Sequence, residues 1–413
     1  MVGMECCRQK FCLTCAFNLV PKRCPYCRND RLRMNLDGEI IDASLAAGSH
    51  LVVGTDPIGL SPSGGSGEGE GIGERLLDSF HEGTETETLE LFRRHDNDAS
   101  VRDRMSQYLL LSCKQTWPTV AACILKRHYG GIDFGLKDQD GNTAFMWACN
   151  NVKMEGVALK MLDGMDAMPD CNNAGLSALM VACFGRCKRV ATNMMDRFGP
   201  GVMPGMVSRN GITALMASIR GRIPELSMRM IDQFGAETRP EAADDEKGET
   251  AFISACRLGM DVAHLLIDSF GERIRPEQLT FKGKGALYWC CSNGMSDVAV
   301  RIIREFDHLV IPGLVCNRNT CLMRACFNRM SEVAMLLITK FHRMTGPERV
   351  LKKGKSALVH CCENDMSEVA VMILDLYDQC TFKRSDLENA LMVSSRNGMC
   401  PVASRLTRLL TNY

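Results

Sequence analysis

At 413 residues the chain exceeds one compact globule, so two domains or one extended array is expected. Lys+Arg and Asp+Glu number 49 each, which excludes a global charge bias towards nucleic acid or an anionic membrane surface. No apolar run approaches the ~18 residues a membrane span needs, and Met1–Lys10 lacks the apolar core of a signal peptide. The expectation is a soluble, intracellular protein, cytoplasmic and/or nuclear, with no membrane partner. In that reducing setting the 22 cysteines read as metal ligands or small buried core residues rather than disulfides.

Residues 1–33 are cysteine-rich and basic. Cys12 and Cys15 form one C-x2-C pair, Cys24 and Cys27 a second, and Cys6 and Cys7 stand ahead of both. Four thiolates at this spacing suit tetrahedral zinc, Zn2+. The run ECCRQKFCLTCAFNLVPKRCPYCRND resembles the second half of a RING finger, with its Phe-Cys-x-x-Cys and Cys-Pro-x-Cys-Arg segments. The resemblance implies that Cys6, Cys7, Cys24 and Cys27 hold one zinc. Cys12 and Cys15 would hold a second ion with a further C-x2-C pair that this sequence does not contain ahead of Cys6. Truncation upstream or degeneration of the module would each account for that. In this family the domain engages a ubiquitin-conjugating enzyme and restrains its charged ubiquitin, without a covalent intermediate. Pro25 then stands where the family touches the conjugating enzyme, and Arg28 where it contacts ubiquitin. Leu19 replaces the family's helix Trp. Nucleic-acid binding by the basic residues here is disfavoured, because thiolates cancel part of the charge and aromatics are few.

Residues 34–100 carry little apolar periodicity. Their centre, GLSPSGGSGEGEGIGE from Gly59 to Glu74, reads as a flexible acidic linker without a following apolar helix. A short helix is allowed near Leu89–Arg94.

From about residue 101 to the end the sequence repeats. Helix starts fall at Gln107, Thr143, Ser177, Thr213, Thr250, Gly285, Thr320, Ser356 and Asn389, a period of 33–37 residues over about nine units. Such a period signals a solenoid. Two residues before the start stands a turn glycine in six units (Gly141, Gly175, Gly211, Gly248, Gly283 and Gly354). Five and six residues after it come small pairs such as Ala148-Cys149, Cys290-Cys291 and Cys361-Cys362, which let two helices approach. A second apolar stripe follows, as in Val262-Ala263 and Leu266-Ile267. Each unit is thus turn, helix, short loop, helix, longer loop.

These units resemble ankyrin repeats over residues 101–413, with Ala where that family has Pro (Ala144, Ala178, Ala214, Ala251). The resemblance implies a mainly α helical-hairpin solenoid that binds a partner protein. In the last unit Arg405, Thr407 and Arg408 give the polar outer face of a terminal cap. The fourth residue after each start is expected on an exposed face: Leu111, Trp147, Val181, Ala217, Ser254, Trp289, Arg324, His360 and Val393. Trp147, Trp289, Arg324 and His360 are the candidate partner contacts. Signatures for phosphate-loop, serine-hydrolase, zinc-protease and dinucleotide chemistry are lacking in the sequence. The combined reading is a RING-type ubiquitin ligase whose repeats select substrate, or alternatively a non-enzymatic adaptor with a vestigial zinc-binding N-terminus.

Overall fold

The computed structural model describes residues 2–4, 10–11, 33–36, 39–42, 71–310, 320–345, 355–377 and 382–411. The chain divides into two units, Met1–Ser66 and Gly67–Tyr413.

In the first unit four short strands form one antiparallel sheet: β1 (Val2–Met4), β2 (Lys10–Phe11), β3 (Arg33–Leu36) and β4 (Glu39–Asp42). Their order is β2-β1-β3-β4, with Gly3 opposite both Lys10 and Asn35 and Met34 opposite Ile41. The sheet therefore runs on through Asp42, past residue 33, where the cysteine-rich segment ends in sequence. Strand β3 starts there and pairs back onto β1. In sequence, Cys6 and Cys7 fall between β1 and β2, and the two C-x2-C pairs fall between β2 and β3.

The second unit is mainly helical and starts earlier than its sequence suggested. Residues 72–100, expected to be linker with a short helix allowed only near Leu89–Arg94, fall in α1 (Ile72–Glu82), α2 (Glu85–His95) and the start of α3 (Ala99–Arg102). Ile72, Leu76 and Phe80 recur at helical spacing, and Leu76 and Phe80 are buried. The Phe80 ring stacks on Tyr108 and Trp117 at 5.7 and 5.5 Å, and the Tyr108 hydroxyl donates to the Gly73 carbonyl at 2.9 Å. Thr84 and Glu87 form a reciprocal capping box at the start of α2, which buries Leu89 and Phe92. An apolar helix thus does follow the glycine-rich run. The polar composition around Gly59–Glu74 masked a short amphipathic pattern that tertiary packing completes.

Nine helical hairpins follow among the described residues. Their first helices are α4 (Met105–Lys114), α6 (Ala144–Cys149), α8 (Ala178–Phe184), α10 (Ala214–Arg220), α12 (Ala251–Leu258), α14 (Ala286–Asn293), α16 (Cys321–Phe327), α18 (Ala357–Glu363) and α20 (Arg384–Arg396). Their second helices are α5 (Pro118–His128), α7 (Glu155–Asp163), α9 (Lys188–Phe198), α11 (Pro224–Phe234), α13 (Val262–Phe270), α15 (Ser296–Glu305), α17 (Ser331–Thr345), α19 (Ser367–Leu376) and α21 (Cys400–Thr411). Each first helix packs on the next, and most second helices do the same. The α1–α2 hairpin sits at the start of this stack, against α4 and α5.

The helix starts have a local cause. Thr143, Ser177, Thr213, Thr250 and Thr320 each accept a hydrogen bond from the backbone N–H three residues on, at 3.2 or 3.3 Å. This cap supplies the rigidity that a first-turn proline would otherwise give. Gly211 before one such start has φ +75°, and a Cβ there would lie 2.4 Å from the Ala243 carbonyl. Gly354 lies outside the described residues. The loops are stacked by backbone hydrogen bonds from one repeat to the next: Asn173 to Asp140, Arg209 to Ala174, Asp245 to Asn210 and Phe281 to Lys247, at 2.9 to 3.0 Å.

The small pairs are fully buried, from Ala148-Cys149 to Cys361-Cys362. Burial pushes the thiols of Cys290, Cys291 and Cys361 well above the ordinary range, and that of Cys362 up to about 12. For Cys291 the contact with Cys321 outweighs burial. These are core thiols. At the far end α21 buries Val402 and Leu406 while Thr407 and Arg408 face solvent, as a terminal cap requires.

Candidate functional site

The fourth and seventh residues after each start lie one turn apart on one side of the first helix, the side on which the resemblance leads one to expect a partner groove. That side is far more covered than the sequence suggested. Leu111, Val181, Ala217, Ser254 and His360 are buried, and Trp147, Trp289, Arg324 and Val393 are half-buried. The expected exposed row is corrected accordingly, and His360, 3% exposed, is withdrawn as a surface contact. First helices of six to eight residues are flanked by a neighbour on each side and by their own second helix. Loops fold over part of what remains.

The groove differs along its length. Near its start the Trp147 indole N–H donates to Asp138 at 2.8 Å, with the Lys114 ammonium 5.7 Å from the ring centre. In the middle, the small residues Ala217 and Ser254 leave room for two nearly buried carboxylates, Asp244 and Glu249. Arg220 pairs with Asp244 and lies 3.7 Å from Glu249, Arg257 reaches Glu249 at 3.0 Å, and the Ser254 hydroxyl donates to Glu249 at 3.3 Å. Burying carboxylates is tolerable only with such pairing.

Next to this network lies an open cleft of about 260 Å³, walled by Lys247, Arg257, Phe281, Lys284 and Trp289. Phe281 is 72% exposed. The Lys284 ammonium sits 4.4 Å from the Trp289 ring centre and 5.2 Å from that of Tyr288.

Beyond the cleft the polar groups change character. The Trp289 indole N–H, the Ser292 hydroxyl, the Arg324 Nε and both ring nitrogens of His360 are buried without a hydrogen-bond partner among the described residues. His360 Nδ1 lies 3.3 Å from a Glu363 oxygen but not in hydrogen-bonding geometry, and the ring meets Phe327 edge-on at 5.5 Å.

Arg220, Asp244, Glu249, Arg257, Phe281 and Lys284 were not singled out from the sequence. One signal was present: Arg220 and Arg257 occupy the same repeat position, seven after the start. Cys6, Cys7, Cys12, Cys15, Cys24, Cys27, Leu19, Pro25 and Arg28 lie outside the described residues. Among the described residues no group of three or more His, Cys, Asp or Glu is placed to hold a metal ion. None of the described helices is long and apolar enough to cross a membrane. In comparisons with known proteins, no family model and no curated protein matches the chain.

Proposed function

We propose that the chain is a RING-type ubiquitin ligase whose ankyrin-like repeats hold a substrate protein in the groove around Trp289. The observation that carries the binding half is the open cleft beside the half-buried Trp289, where exposed Phe281 and the ammonium of Lys284 meet an aromatic wall. Large aromatic and cationic side chains in such clefts are the usual anchors of protein interfaces. The ligase half is supported by the donor set. Six thiols within 22 residues, four of them in C-x2-C pairs, fit zinc. Cys6, Cys7, Cys24 and Cys27 would hold one ion, and Cys12 and Cys15 would contribute to a second. Bound zinc would supply folding energy, and Pro25 and Arg28 would face the conjugating enzyme and its ubiquitin. A second reading, a non-enzymatic adaptor, is favoured by Leu19, which stands where the RING family carries Trp.

The test combines the full chain with ubiquitin-activating enzyme, a panel of conjugating enzymes, ubiquitin and ATP, alongside elemental analysis of the reduced protein. Bound zinc and ubiquitin chains that disappear in the Cys24→Ser/Cys27→Ser variant support the ligase. Zinc without chain formation selects the adaptor. Reduced protein free of zinc ends the RING reading.

A further inference from the structure

Along the groove, positions four and seven of the first helices present polar atoms in register. In α10 and α12 most of these atoms are answered from within the chain: Asp244 and Glu249 pair with Arg220 and Arg257, and Arg220 Nε is left without a partner among the described residues. In α14, α16 and α18 most are not, Glu363 excepted, which pairs with Lys355. Trp289 Nε1, Ser292 Oγ, Arg324 Nε and the His360 nitrogens recur over three successive repeats, buried and unpartnered among the described residues. Leaving one buried donor unmade is costly, and a run of them at one repeat position asks for an outside partner. Each of these groups can donate a hydrogen bond, and for Trp289 and Arg324 donation is all the side chain can do. Lys284 adds a cation over Trp289 with no carboxylate paired to it among the described residues. The missing partner must therefore bring acceptors. It must also be extended, since two successive repeats, those of α14 and α16, contribute. Exposed Phe281 and Phe327 provide apolar footing beside the donors.

We infer that α14 and α16 bind an extended acidic segment of a partner polypeptide, interspersed with apolar residues. Its carboxylates and carbonyls accept from Trp289, Arg324 and Lys284. This rests on the groove being the partner site proposed above. A polyphosphate chain such as a nucleic acid is the poorer fit, because Glu246 and Glu249 at the cleft and Glu363 beside His360 would repel its continuous charge.

The test pans the full chain against phage-displayed random twelve-residue peptides. The most frequent survivor, labelled with fluorescein, is then titrated by anisotropy. Retained peptides should carry more Asp and Glu than Lys and Arg, and binding should weaken as salt rises. Arg324→Gln should weaken the labelled peptide about tenfold or more, and Trp289→Phe, which keeps a ring but loses the N–H, several-fold. Thermal melts confirm that both variants remain folded. Retention of basic or uncharged peptides that still respond to the two variants overturns the acidic partner while leaving the groove as the binding site. Acidic peptides bound equally well by both variants remove the groove itself. Retention of no peptide, or binding of a labelled twenty-residue oligodeoxythymidine that both variants abolish, also overturns the inference.

Discussion

Asn328 offers a sharp test of how successive repeats are joined. A helix ends with carbonyls that lack an internal partner. The Asn328 side-chain amide donates to two of them in the preceding repeat, Cys291 at 2.7 Å and Ser292 at 3.0 Å. Asn293 does the same for Cys256 and Arg257, and Asn364 for Cys326 and Phe327, while Asn397 reaches Cys362. Two carbonyls require two hydrogens, which fixes the orientation of the amide. Asn328→Ala loses both bonds, each worth about 0.5–1.5 kcal/mol net. Asn328 is half-buried and water can partly replace it, so the expected cost is about 1–2 kcal/mol. Asn328→Asp keeps the shape but has no hydrogens to give, and it sets a negative charge at the negative end of α14. It should cost a further ~0.5–1 kcal/mol. The order Asn, Ala, Asp is read from urea denaturation followed by circular dichroism. Because repeat arrays need not unfold in one step, hydrogen exchange should place the loss in α14–α17 and spare α6–α9. An Asp variant as stable as Asn, or an Ala variant without cost, would refute the reasoning.

Two further outcomes are expected. Burial holds the His360 pKa below the ordinary imidazole value, with Lys355 and Arg324 adding to the effect and Glu363 opposing it. The unfolded chain therefore takes up a proton below about pH 6.5 that the native state refuses, so this contribution is present above that pH and fades as pH falls towards the folded pKa. Denaturation midpoints should drop between pH 7.5 and 5.5 by more in wild type than in His360→Gln, and equal drops would remove His360 from the account. Among the described cysteines, exposed Cys400 should react with a maleimide quickly, while Cys149, Cys290 and Cys361 react only as the native state opens. Peptide mapping that finds Cys290 labelled as fast as Cys400 would contradict the packed core.

What could be read from the sequence tracks how local each cause is. The repeat period was legible because a turn glycine and a Thr or Ser cap act within four residues of the helix they start, as at Gly211 and Thr213. The α1–α2 hairpin was not, since Leu76 and Phe80 become a core only once Tyr108 and Trp117 close over them. Assigning the fourth position to solvent failed for a physical reason. The two-faced helix pattern assumes one neighbour, whereas α8 and α12 have neighbours on several sides and bury nearly every residue. The junction between repeats is an intermediate case. Gly185 and Gly221 in the first half, and Asn293, Asn328, Asn364 and Asn397 in the second, share one position eight residues after the start. Glycine and asparagine look unrelated in sequence, yet both stand beside equivalent carbonyls of the preceding repeat, glycine by leaving room and asparagine by donating to them. A Cβ at Gly185 or Gly221 would lie 2.2 or 2.3 Å from the Cys149 or Cys183 carbonyl, so there the backbones come close enough that no side chain fits. In the second half the Asn side-chain amide donates to the equivalent carbonyls. The groove follows the same division. Its first half is largely paired through Trp147–Asp138 and the Arg220–Asp244–Glu249–Arg257 network, with Arg220 Nε left over, whereas its second half leaves Trp289, Arg324 and His360 unanswered. Among the described residues, more of these donors stay unmet in α14 and α16 than in α10 and α12, which is where the partner segment inferred above would seat.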